Sequence, residues 1–184
     1  MKALFILLLC TLLAARPAAD TYRVDPTASR VTWTGYAEVG GYAPTGTVQL
    51  SRGTFTYDGR HLRAGRFEFD MRTIAQEQAQ LVEHLRGPDF FDVARYPTAV
   101  FVLDNVQNGT AAGHLTLRGV TRPVQFPLTL TKLPNGQLRV TGKATLDRTQ
   151  FGIKYNSASF FQNLGSYAIR NECALAFAVV AQKN

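Results

Sequence analysis

The chain reads as an all-β domain of antiparallel strands carrying one principal helix. Three observations predict this: apolar residues alternate with polar ones along most of the chain, turn-forming residues separate the alternating runs, and one stretch shows helical spacing instead. Residues two apart on a strand share a face, so such alternation puts one face of each strand against a core and the other in water.

The first run is Val31 and Trp33, alternating with Thr32 and Thr34; the next is Val48 and Leu50 among Thr47, Gln49 and Ser51. Phe55/Tyr57, Phe67/Phe69/Met71, Phe101/Leu103, Leu115/Leu117, Val124/Phe126/Leu128/Leu130, Leu138/Val140 and Leu175/Phe177/Val179 continue the pattern. Asp58-Gly59, Asn108-Gly109 and Pro134-Asn135-Gly136 supply residues that tolerate positive φ, as tight hairpins require. Asn108-Gly109-Thr110, which also fits a glycosylation sequon, is read as a turn. The segment 74–86 is predicted as the helix: Ile74, Leu81, Val82 and Leu85 fall on one side, Thr73 and Gln76 form a capping box, and Gly87-Pro88 stops it. Its apolar face is expected to cover one end of the sheet, with Phe90 and Phe91 sealing beside it and His84 facing solvent or capping the helix end. Ser157 to Leu164 reads as a short helical turn or a loop. About eight to ten strands leave a closed up-and-down barrel or an open sandwich, and closure is favoured because it removes exposed strand edges.

At 184 residues with 46% hydrophobic and 18% charged residues, the chain is neither a disordered polyelectrolyte nor wholly membrane-embedded. Lys2, an apolar run from Ala3 to Ala15 and small residues at Ala18 and Ala19 read as a secretory signal over residues 1–19, leaving one domain over 20–184 in the periplasm or outside the cell. Removing that segment takes Cys10 with it, so Cys173 is left as a free thiol, expected to face inward with Leu175, Phe177 and Val179. The net charge of +7 is spread thinly. That argues against a nucleic-acid arm, which needs clustered Lys and Arg, and leaves mild attraction to anionic lipid surfaces, including transient membrane contact.

No CxxC, HExxH, glycine-rich phosphate loop or GxSxG motif is present, and His61, His84 and His114 stand apart from one another. No metal, cofactor or catalytic residue is therefore predicted. Asp147-Arg148 reads as an internal ion pair. Aromatic content stands out, with twelve Phe, seven Tyr and one Trp. Such residues fill ordinary β cores, yet an eight-stranded barrel is just wide enough to pack solid or to hold one elongated ligand. An apolar interior points to a carrier before a catalyst. The candidate lumen residues on strands are Val31, Trp33, Phe55, Phe67, Phe69, Phe101, Leu115, Leu117, Phe126 and Phe177. The helix contributes Leu81 and Leu85, and the connecting segments Phe90, Phe151 and Phe160. Trp33 is expected to point inward on the face of Val31 and Gly35, with Gly35 leaving room for a chain to pass. Arg118, Arg122 and Arg148 are candidates for an anionic head group at the mouth, each otherwise a solvated surface charge.

The run His84-Leu85-Arg86-Gly87-Pro88-Asp89-Phe90-Phe91-Asp92-Val93, continuing through Tyr96-Pro97-Thr98-Ala99-Val100-Phe101, resembles the signature of the YceI-like family. Tyr22-Arg23-Val24-Asp25-Pro26, the stretch Gly113 to Val124 and Asp147-Arg148-Thr149-Gln150-Phe151-Gly152-Ile153 follow in family order, so the resemblance spans the chain after the signal. It implies a lipocalin-like antiparallel β-barrel, exported to the periplasm, that binds long-chain isoprenoid or related lipids inside. The chain departs from the family at Gly35-Tyr36-Ala37, where a His often stands, and over Tyr155 to Ser166. The leading expectation is noncatalytic binding or transport of an isoprenoid, quinone or fatty acyl lipid. The rivals are an enzyme or redox helper acting on such a lipid, and a structural module with a solid core.

Overall fold

The computed structural model describes residues 19–184, so the expected export segment, but for Ala19, lies outside the described residues. Eight strands follow one another: β1 (Asp20–Thr34), β2 (Thr45–Tyr57), β3 (Leu62–Ala75), β4 (Thr98–Gln107), β5 (Thr110–Leu117), β6 (Val120–Lys132), β7 (Leu138–Asp147) and β8 (Glu172–Lys183). The helix α1 (Ala79–Arg86) lies between β3 and β4. Every strand pairs antiparallel with its neighbour in sequence, and β8 returns to pair with β1, from Tyr22 opposite Lys183 to Thr34 opposite Ala174. The sheet is thus a closed up-and-down barrel, and the sandwich alternative falls away.

Bulges explain which residues face inward. Tyr22, Val24 and Val31 are buried and Trp33 is half-buried against them, although the two pairs differ in parity. The register of β1 slips between Asp25 and Arg30, where the Asp25 carboxylate accepts hydrogen bonds from the Thr27 and Ala28 amides, and this extra length flips the inward face. A second slip between Leu50 and Arg52 does the same for β2, turning Phe55 and Tyr57 inward.

The helix is shorter than the predicted span 74–86. β3 continues to Ala75, which pairs with Thr47, and the Thr73 hydroxyl accepts from the Gln49 amide while donating to the Asp70 carbonyl. Thr73 therefore closes a bulge and caps no helix. That bulge places both Met71 and Ile74 in the core three residues apart, a spacing that imitates a helix. The capping box is absent: Gln78 is the N-cap without a side-chain bond, and Gln76 accepts from the Gln78 amide. The stop is at Gly87, extended at φ −72° and ψ 173°, as the residue before Pro88 prefers.

Three hairpins close on left-handed residues at Gly59, Asn108-Gly109 and Gly136, as predicted. A further tight turn, Arg118-Gly119 at φ 51° and 73°, joins β5 to β6. The strand directions sort the connections into two ends. One end has the termini of the sheet, Asp20 where β1 begins and Lys183 where β8 ends, and the short turns after β2, β4 and β6. The other has the long connections 35–44, 76–97 and 148–171, with the turn at 118–119 beside them.

Candidate functional site

Inside the barrel is a cavity of ≈ 230 Å³. Its wall includes the full length of β5 from Ala111 to Leu117, which at about 3.4 Å per residue is roughly 20 Å of strand. Its lining is apolar nearly throughout. Charged residues touch it only at the end with the long connections, through Arg148, Arg170 and Glu172. That end is its mouth.

Of the residues proposed from sequence, Val31, Trp33, Phe67, Phe69, Phe101, Leu115, Leu117, Phe126 and Phe177 line this cavity from the strands. Leu85, Phe90 and Phe151 line it from the connecting segments. Gly35 also borders it, with open space where a Cβ would stand. Three others do not line it. Phe55 is 2% exposed but stacks on Tyr22 at 5.6 Å, with Tyr57 edge-on to Tyr22, in a plug at the end with the termini. Leu81 is half-buried on the helix, one turn before Leu85, which alone in α1 reaches the cavity. Phe160 is 48% exposed on the outer surface, beneath the Lys154 ammonium at 4.6 Å.

What keeps the lumen open is a set of glycines that the alternation pattern did not single out. Trp33 pairs across the ladder with Gly46, Phe67 with Gly53, and Phe177 with Gly142, while the Phe101 ring lies over Gly113. A Cβ at Gly46 would stand 2.5 Å from the Trp33 ring, and one at Gly113 would stand 2.7 Å from that of Phe101. At Gly142 it would collide with Phe177. Each ring therefore lies sideways over bare backbone on the next strand and leaves the barrel axis free. Phe67, Phe101, Phe126 and Phe177 form a continuous aromatic wall, with successive centroids at 6.1, 5.3 and 5.4 Å. The sequence signal was isolated glycine within strand patterns, which marks close backbone approach.

The three candidate arginines bind backbone carbonyls at the mouth. Arg148 is only 7% exposed, which corrects its reading as a surface charge. Its Nε donates to the Arg170 carbonyl, Nη1 to Ile153 and Nη2 to Ile169, at 2.9 to 3.0 Å. The predicted ion pair with Asp147 is absent, because the Asp147 carboxylate caps the 3-10 turn at Arg148–Phe151 by accepting from the Thr149 amide and hydroxyl. Burial lowers the Arg148 pKa from its usual value. Arg118 donates to the Gly152 and Pro88 carbonyls, and Arg122 to that of Gln150. These bonds fasten the irregular segments 76–97 and 148–171 to the turn between β5 and β6.

His84 is half-buried, edge-on to Phe90 at 5.0 Å and to Tyr155 at 4.5 Å, which corrects its solvent-facing reading. Its Nε2 and the Trp33 Nε1 are buried without a hydrogen-bond partner among the described residues. Cys173 is free and borders the lumen with Leu175, Phe177 and Val179, on the face expected of it. Burial pushes its thiol from 9.0 up to about 11, so it stays protonated and weakly nucleophilic near neutral pH.

Comparison with known proteins follows the same outline. Among solved structures, BcnA of Burkholderia cenocepacia superposes with a TM-score of 0.72 at 18% identity, covering 86% of this chain and 99% of that one. A polyisoprenoid-binding domain from Saccharophagus degradans, implicated in plant cell wall breakdown, gives 0.68 at 12% identity over 89% of this chain and 98% of that one. Such likenesses show a shared fold. A UPF0312 protein of Pseudomonas putida W619 is 36% identical over 121 residues, covering 59% of this chain and 63% of that protein. One from Pseudomonas syringae pv. syringae is 34% identical over the same shares, so the chain spans about 63% of the length of these curated relatives. The model of the YceI-like domain matches residues 22–181, from β1 through β8 and across the lumen and its mouth, and the chain belongs to the YceI-like family.

Proposed function

We propose that this protein is a noncatalytic carrier that holds the tail of a long-chain isoprenoid inside the barrel. A quinone or fatty acyl lipid with a similar tail would fit the same chemistry. The observation that carries the reading is the lumen: roughly 20 Å of strand wall lined by apolar side chains, kept open by aromatic rings seated over glycine. A polar ligand would lose its hydrogen bonds to water there without replacement, whereas each methylene taken from water gains about 0.8 kcal/mol. A solved relative in fold is a polyisoprenoid-binding domain, which supports the ligand class.

The mouth suits a negative head group. Arg118, Arg122 and Arg148 bring three positive charges there with no carboxylate in ion-pair distance among the described residues. Their bonded carbonyls leave part of each guanidinium's donor capacity unused. The carrier is expected to work in the periplasm or outside the cell after loss of residues 1–19, which the intact mass of the protein from its native compartment tests.

Organic extraction of protein purified without detergent, followed by mass spectrometry, tests the ligand. A long-chain lipid at about one per protein is expected. Titration with isoprenoids of graded length, read through Trp33 emission, should show saturable binding that weakens as the chain shortens. Affinity independent of chain length would sink the carrier reading.

A further inference from the structure

Two prolines mark a place where the barrel is not zipped shut. The Leu128 amide donates to the Gly109 carbonyl on the β5 side, and amides alternate in direction along a strand, so the odd-numbered residues of β6 turn theirs toward β7. Pro123 and Pro127 both fall on that side, where proline has no hydrogen to give; proline within a sheet belongs at an edge. The ladder stops accordingly. Between β6 and β7 it runs from Lys132 opposite Leu138 to Leu128 opposite Gly142, one residue short of Pro127. From there toward the mouth, residues 120–127 pair with β5 and residues 143–147 with β8, and among the described residues the two stretches do not pair with each other.

Other breaks in the ladder are bridged. Residues 24–31 of β1 lie unpaired with β2, but pairs close that gap on both sides, Arg23 with Thr54 and Thr32 with Thr47, and the Val24 side chain lies against Gly53 within it. The end of β3 that overhangs β4 carries α1, whose Arg86 guanidinium donates to the Ile74 carbonyl. The gap between β6 and β7 is paired at its lower end and open toward the mouth, where the Arg122 guanidinium spans it by donating to the Gln150 carbonyl. From Pro123 to Pro127 it is roughly 14 Å long at about 3.4 Å per residue. Behind it is the lumen, which Val124 and Phe126 line from one lip and Ala144 and Leu146 from the other. At its foot Phe126 meets Phe177 edge-on at 5.4 Å, beside Gly142. Apolar contact has no preferred direction, so these lips can part and close again without breaking a ladder bond.

We infer that this gap is a side portal, through which the apolar tail of the lipid enters and leaves the lumen between β6 and β7. The inference deepens the carrier reading and rests on it. A tail fed in sideways need not be threaded end-on past Leu85, Phe90 and Phe151, which line the cavity from the connections at the mouth and are buried. Arg122, one of the three cations proposed for the head group, stands at the top of the same gap.

Tethering the lips tests it. Were the register to run on from Leu128 opposite Gly142, Gln125 would face Thr145, and both are exposed. In Q125C/T145C a bismaleimide with a reducible core joins the two lips. In T116C/T121C it joins β6 to β5 instead, where the ladder is intact and the two hydroxyls stand 2.8 Å apart. Native Cys173 faces the lumen with its thiol protonated near neutral pH, so the reagent takes the exposed pair first. Stopped-flow Trp33 emission follows a long-chain isoprenoid into and out of protein stripped of lipid. The tether across the gap should slow both steps by about tenfold or more and leave affinity within about twofold, because a portal sets the barrier and not the end states. Reduction should restore both rates, and the tether to β5 should change neither. P123T/P127T, which supplies the missing donors, should slow uptake likewise and protect the Gln125 and Thr145 amides from hydrogen exchange. In the parent those amides should exchange faster than those of Val124 and Ala144. Equal rates with the lips tethered and free overturn the portal alone, as do Gln125 and Thr145 amides already protected in the parent. A parent that takes up no isoprenoid overturns the carrier reading, and the portal falls with it.

Discussion

The two ends of this barrel close themselves by different means. At the end with the termini, chain reversals are short and cations meet carboxylates: Arg63 pairs with Asp58 at 2.7 Å and Lys183 with Asp20 at 2.7 Å. Aromatics there pack on one another, with Tyr22 on Phe55 and Phe55 on Phe67 at 6.2 Å. At the mouth the connections are long, the cations meet backbone carbonyls, and the large rings lie sideways on the wall or outside in solvent. The base spends its apolar residues on stability. The mouth leaves its residues free to meet something else, as loops on a rigid scaffold commonly do.

The largest expected effect separates plug from wall. Phe55→Ala should destabilise the fold by about 3–5 kcal/mol, through lost transfer energy and an unfilled cavity. Phe126→Ala should lose clearly less, because that ring already borders open space. Urea denaturation of both measures the contrast, and equal losses would mean that the interior packs as one solid core.

Arg148→Met tests the mouth. Removing the guanidinium leaves the Ile153, Ile169 and Arg170 carbonyls without this donor, and at about 1–3 kcal/mol for each unsatisfied buried group the loss should be about 3 kcal/mol or more. Amide exchange should quicken across 148–171 first and leave the turns at 58–61 and 108–109 protected. Uniform quickening would show that the mouth is not a separable unit.

Cys173 gives a pH window. Its folded pKa is raised from 9.0 to about 11 because burial disfavours the thiolate, so the native state holds this proton longer than the unfolded chain. Stability from this group is complete below 9.0 and is lost as pH rises through about 11, amounting to about 2–3 kcal/mol at 1.36 kcal/mol per unit. The pH dependence of the urea midpoint should therefore be shallower in Cys173→Ala than in the parent over that range. Labelling of native Cys173 by a polar thiol reagent should be slow at neutral pH.

The smallest effect concerns the wall glycines. Gly142→Ala should push the Phe177 ring off its seat, destabilise by about 1–3 kcal/mol as overpacking does, and lower isoprenoid affinity more than Phe55→Ala does. Gly35→Ala, with open space around it, should leave stability nearly unchanged. Should both glycines behave alike, the wall argument fails.

Much of this was readable before any coordinates. Alternation placed Trp33, Phe101, Leu115, Leu117, Phe126 and Phe177 on inward faces, and each borders the lumen. It failed where strands bulge. Two slips in β1 and β2 change the parity, and the bulge closed by Thr73 gave Met71 and Ile74 a helical look. Phe55 was read as inward and is inward, but depth along a tilted barrel is not written in alternation, so plug and lumen looked the same.

By itself the sequence determined the class of fold, the closed turns at Gly59, Asn108-Gly109 and Gly136, the apolar character of the interior and the inward side of most strands. These follow from properties within reach of a few residues: side-chain hydrophobicity, the period of two, and tolerance of positive φ. Only the tertiary structure decided that the interior is a lumen, because that depends on register: which glycine of one strand lies beside which ring of the next. It also decided that Arg148 is buried, since its acceptors come from Ile153, Ile169 and Arg170 and meet only once the barrel has closed. Local chemistry sets what each strand presents, and closure sets which residues meet.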